Sequence, residues 1–149
     1  MTTKNNFMKV YNSFSSRILR SSFHGIMSGS TLLITVIGRK TGKKISTPVN
    51  YVSAGNEIII TSDQQKNWWH NLRENKSVTI LLKNQEFNTE ARLVESGDEL
   101  LLYLEKYFTG LPSAAKFLRV TRNADGTFEK QSMEIASAGR VIVVCRLPG

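Results

Sequence analysis

The chain has 149 residues, about the length of one ordinary domain, which leaves no room for separate cofactor and substrate domains. Lys and Arg total 20 against 12 Asp and Glu, and the net charge of +8 favours an acidic partner: nucleic acid, an anionic membrane face or a polyanionic ligand. No run approaches the roughly 18 apolar residues of a membrane-spanning helix, no charged segment leads into a signal-like apolar core, and a lone cysteine excludes an internal disulfide, so a cytoplasmic or peripherally attached protein is expected.

Residues 1–30 read as an amphipathic helix with its lead-in, and 31–149 as the main domain. Over 7–20, Phe7, Val10, Tyr11, Phe14 and Ile18 recur at helical spacing while Lys9, Arg17 and Arg20 take another flank. The expected role of this helix is packing on the domain core, with peripheral membrane contact through its aromatic face as a further expectation. His24 has no second ligand at metal spacing, and no metal site is expected.

From residue 31 the period changes to that of strands. The runs 31–37, 47–52, 57–61, 77–82 and 86–94 are rich in β-branched residues and are separated by short turns such as 53–56 and 83–85. Connections this short require antiparallel pairing. A helix follows over 98–108, ended by Gly110, and Pro112 starts a shorter one reaching Phe117. The polar stretch 121–131 reads as an exposed loop, and 140–147 supplies a last strand in which Cys145 is a buried apolar residue. About six antiparallel strands with helices outside are expected to close into a small barrel, which removes exposed edges. The fold class is therefore α+β, mainly β with peripheral helices.

Two segments carry chemistry. Between the first two strands lies Gly38, Arg39, Lys40, Thr41, Gly42, Lys43, Lys44. Its glycines permit a tight turn that frees backbone N–H groups, and its side chains add an Arg fork, point charges and a hydroxyl suited to a phosphate. It is no P-loop, because the glycine spacing differs and a strand follows. The second segment, Trp68, Trp69, His70, Asn71, offers flat aromatic surface and amide hydrogen bonds to a planar group. Neighbouring residues on a short helix face different ways, so one ring is expected in the core and the other at a groove. For His70 a packing or hydrogen-bonding role is preferred to general-base work, since no carboxylate partner or nucleophile accompanies it. Together the two segments ask for a phosphorylated aromatic ligand. Nucleic acid fits less well, because apart from the turn the cations are scattered and do not alternate with aromatics along a strand pair.

The stretch from Thr31 to Tyr51, with Gly38 to Gly42 and then Thr47 and Pro48, resembles the signature of the deazaflavin-dependent nitroreductase and quinone reductase family. The block Trp68 to Asn75 does so too, in the same order along the chain. The resemblance implies a six-stranded, FMN-binding-like split β-barrel. It also implies coenzyme F420, a deazaflavin with a phosphate and an oligoglutamate tail, and hydride transfer to a quinone, an enone or a nitroaromatic. FMN in the same groove, or a carrier that performs no turnover, are the alternatives it leaves open.

By that resemblance Arg39, Lys40, Thr41, Gly42 and Lys43 hold the phosphate and part of the tail. Thr47, Pro48 and Val49 lie beside the ring system, and Ser62, Trp68, Trp69 and Asn71 border it. Ile45 stands where many members carry a base, which shifts the tail contact to Lys43 and Lys44. The chemistry is cofactor-borne, with Lys66, Asn67 and the backbone near Ser62 as candidate donors to a developing oxyanion. Either a monomer or a homodimer is compatible with the pattern.

Overall fold

In the first strand Leu32, Ile34 and Val36 alternate with Leu33, Thr35 and Ile37, so successive side chains fall on opposite faces of the strand. The computed structural model describes residues 30–148, and there the first set turns inward and packs in a common core. The helix expected over 7–20, and His24, lie outside the described residues.

Six strands run β1 (Thr31–Ile37), β2 (Lys44–Ala54), β3 (Glu57–Asp63), β4 (Ser77–Leu82), β5 (Gln85–Val94) and β6 (Arg140–Arg146). They close into an antiparallel barrel in the order β1-β2-β3-β6-β5-β4. The expected fold class is thus the observed one. β1 and β4 have the expected limits at both ends, while β2 begins three residues earlier than the pattern 47–52 indicated, because Lys44, Ile45 and Ser46 pair with Ile37, Val36 and Thr35. Tight connections follow from local conformation: Lys83 and Asn84 both take positive φ, 50° and 66°, which matches the right-handed twist of the β4–β5 hairpin.

Two apolar layers hold the molecule together. The barrel interior contains Leu32, Ile34, Ile58, Ile60, Ile80, Val141, Val143 and Cys145, all 1% exposed or less. The second layer lies between the outer face of β2, β3 and β6 and the helices α1 (Gly97–Gly110), α2 (Pro112–Phe117) and α3 (Lys130–Ser137). Leu100, Leu104, Tyr107 and Phe108 recur at three- and four-residue spacing along α1 and meet Val52, Ile59, Ile142 and Val144. Each such burial contributes about 1.5–3 kcal/mol relative to exposure. Tyr103 fixes the helix further by donating to the Glu57 carboxylate at 3.1 Å while accepting from Arg92 at 3.1 Å.

Helix α3 falls partly in the stretch read as loop. Only Met133 is fully buried along it, so its apolar periodicity is faint. Its start is fixed by Glu129, whose carboxylate accepts the N–H groups of Ser132 and Gln131, each at 2.8 Å. Those bonds hold the Glu129 carboxyl below the usual range, that from Ser132 most strongly.

Candidate cofactor site

The turn after β1 closes largely upon itself. Gly38 N–H donates to Lys43 O at 2.7 Å and Gly42 N–H to Gly38 O at 2.9 Å, with Gly42 at φ +71°, a conformation that favours glycine. Lys43 N–H donates to Thr41 Oγ1 at 3.2 Å, and Arg39 N–H to Asn71 Oδ1 at 2.9 Å. A β-carbon on Gly38 would stand 3.1 Å from Lys43 O and 3.2 Å from Ile45 Cδ1, so the residue permits the closure. The expectation that the turn frees its backbone N–H groups for an anion is corrected here, because four of them are consumed by the closure and by Asn71. Those of Lys40 and Thr41 have no partner among the described residues. Thr41 Oγ1 accepts internally, which leaves its O–H proton to donate outward.

Trp68 to Arg73 form a 3-10 helix in which neighbouring side chains diverge. Trp69 is 2% exposed, donates its indole N–H to Asp63 O at 3.1 Å, and belongs to the barrel core. His70 stacks on it at 3.8 Å, and the Arg73 guanidinium lies 5.1 Å from its ring while pairing with Glu95 at 2.6 Å. Trp69 is therefore no groove residue. Trp68 is half-buried, with its indole N–H donating to Ser62 Oγ at 3.1 Å. Asn71, 7% exposed, donates to Trp68 O at 3.0 Å from the same amide whose oxygen receives Arg39.

Gly38, Arg39, Lys40, Thr41, Asn67 and Asn71 line one recess of about 220 Å³. That lies below the roughly 300–1,000 Å³ of a whole-ligand pocket and suits one polar group of a larger ligand. The remaining candidates are distributed around it. Lys44 lines a separate recess on the outer face, with Thr35, Ile37 and Thr79. Lys43 gives the turn its backbone, and its exposed side chain, like that of Lys66, does not line the recess.

Pro48 pairs with Leu33 and Val49 with Leu32, so the two side chains occupy opposite faces of β2 and do not share a groove wall. Thr47 is half-buried on the interior side, opposite Ile34. Ser62 is buried beneath Trp68. Asn67, read as a donor toward an acceptor oxygen, lies beside the cationic turn instead. Neither that placement nor the Asn71 brace has a local sequence signal, since both depend on contact between segments about thirty residues apart. Cys145 is fully buried in the barrel, and burial pushes its thiol up to about 12, which removes it as a nucleophile.

This closed barrel with outer helices belongs to the split β-barrel class. A structure described as a domain-swapped dimer superposes with a TM-score of 0.57 at 16% identity, over 93% of this chain and 98% of the other. The conserved hypothetical protein Rv2991 from Mycobacterium tuberculosis gives 0.57 at 17% identity, covering 93% and 80%. An F420-H2 dependent reductase, FDR-A, gives 0.52 at 18%, covering 78% and 94%. Identities this low establish the fold. No curated protein matches the chain. The family model of F420H(2)-dependent quinone reductases matches residues 6–123, and the chain belongs to that family.

Proposed function

We propose that this chain binds reduced F420 with its phosphate in the Arg39–Lys40–Thr41 recess and its ring system beside Trp68, and reduces an electron-poor acceptor: a quinone, an enone or a nitroaromatic. The observation that carries this reading is one recess lined by Arg39, Lys40 and Thr41, from a turn with two cations, a hydroxyl and two N–H groups without a partner among the described residues, and joined through Asn71 to the backbone of Trp68. An anion fits that donor set, and a planar group fits the half-buried indole of Trp68, the residue whose backbone Asn71 ties to the recess.

When bound, the cofactor supplies a hydride, and the protein contributes orientation and electrostatics. Arg39 and Lys40 neutralise the phosphate. The Thr41 hydroxyl and the N–H groups of Lys40 and Thr41 give it direction, and Asn67 borders the same recess. Trp68, held by Ser62, presents apolar surface that excludes water. Lys66, exposed and next in sequence to Asn67 of the recess, is our candidate for the cation that meets charge developing on an acceptor oxygen.

The test is titration of the purified protein with F420 and, separately, with FMN, for the wild type and for a double variant carrying Arg39→Ala and Lys40→Ala. Loss of two charge-assisted contacts should weaken F420 binding by about a hundredfold or more. Selective binding of FMN, or F420 binding indifferent to the double variant, would overturn the reading.

A further inference from the structure

The cations of the basic turn do not act as one patch. Arg39 and Lys40 line the recess, and among the described residues they are the cations that do so. The strand leaving the turn then separates the rest by parity. Lys44 pairs with Ile37 and lines the outer recess, whereas Ile45 pairs with Val36, a residue of the barrel interior. Cross-strand partners share a face, so Ile45 stands on the interior side of β2 at the mouth of the barrel. It is 40% exposed there, and its Cδ1 lies close to Gly38, which lines the recess. Thr47, next on that face, is uncharged, and so are Ile34 and Val36 opposite. A group leaving the recess along this wall meets an apolar side chain where the run of lysines suggested continued positive charge.

We infer that the site reads one phosphate-sized anion and is indifferent to the number of carboxylates carried behind it, with Ile45 as the specificity-determining residue. This rests on the proposed function, since it concerns the acidic tail of the same cofactor. A single phosphate satisfies the two lining cations and the donors beside them. Among the described residues this wall carries no further cation, so carboxylates along it would be solvated, and at physiological ionic strength the roughly 8 Å screening length removes most of the pull of the scattered surface charge. Lys43 and Lys66 are exposed near the recess, and exposed ion pairs of that kind contribute little.

The experiment compares dissociation constants for F420 carrying one glutamate and F420 carrying several, at physiological salt, with wild type and Ile45→Lys. The wild type should bind both within about twofold. Ile45→Lys should favour the longer tail by about three- to fivefold, a preference that raised salt abolishes, as for an exposed ion pair. The wild-type comparison needs no variant to fold. A wild-type preference above tenfold for the longer tail, reduced by Lys43→Ala or Lys44→Ala, would overturn the inference and leave the proposed function standing. Failure to bind either form would overturn the proposed function itself, and the inference with it.

Discussion

The side-chain oxygen of Asn71 accepts the backbone N–H of Arg39 at 2.9 Å, joining residues 32 apart in sequence. Through its amide nitrogen the same side chain holds Trp68 O at 3.0 Å. The basic turn and the aromatic helix are thus joined by one buried amide, and Asn71 positions the backbone of Arg39 and Trp68. A donor must sit on one side of it and an acceptor on the other, which asparagine supplies and aspartate does not.

Asn71→Asp should therefore damage anion binding more than Asn71→Ala. Alanine removes two hydrogen bonds and loosens the turn. Aspartate retains the bond from Arg39 but loses the donation to Trp68 and sets a negative charge on the wall of the recess. Like-charge repulsion at that range costs about 2 kcal/mol or more, so the dissociation constant for a phosphate-bearing deazaflavin should rise roughly thirtyfold. A deazaflavin lacking the phosphate should be affected much less. Equal losses for both ligands, measured by fluorescence titration, would show that Asn71 acts on the ring instead.

The Trp68 indole should owe its placement to Ser62. Trp68→Phe keeps most of the apolar surface and leaves the buried Ser62 hydroxyl with only a weak 3.4 Å bond to Asp63 O. A double-mutant cycle of Trp68→Phe with Ser62→Ala should give a coupling of about 1 kcal/mol in urea unfolding. Additive effects would mean that the hydrogen bond contributes nothing to holding the ring.

The barrel was legible because its strands obey local rules. β-branched runs, short turns and the proline that opens α2 mark their own boundaries. The tryptophan pair was legible for the same reason: neighbours on a short helix must diverge, and Trp69 is buried where Trp68 is not. What could not be read is what depends on contacts between distant segments. The basic run looked like one cationic patch, yet strand parity places Lys44 on the outer face and Ile45 at the mouth. Helix α3 escaped because its cap is a glutamate and its buried face is a single methionine.

Gly110 ends α1 against β2. A β-carbon there would overlap Val52 Cγ1, and Val52 is itself buried in the layer beneath the helix. Gly110→Ala should consequently destabilise the protein by about 1–3 kcal/mol, as overpacking does, although alanine is the better helix former. Adding Val52→Ala should recover part of that loss by making room. A thermal melt in which Gly110→Ala alone is neutral or stabilising would show that the α1–β2 contact yields without cost.

Stability should fall on the alkaline side, and Cys145 should be the largest single cause. Burial raises its thiol from an ordinary 9.0 to about 12, and raises the Tyr107 hydroxyl from 10.0 to about 12. A raised folded value means that the native state keeps a proton which the unfolded chain releases. The stabilisation is fully present below pH 9 and is lost as pH rises from there toward 12. Between pH 9 and 11 the thiol alone should cost about 2–3 kcal/mol, and the tyrosine about another 1 kcal/mol. Cys145→Ala lowers stability at neutral pH through the small cavity it leaves, but it removes the thiol's titration. Its urea midpoint should therefore decline less steeply with pH than that of the wild type. Parallel declines across pH 8, 9.5 and 11 would show that the thiol does not titrate with unfolding.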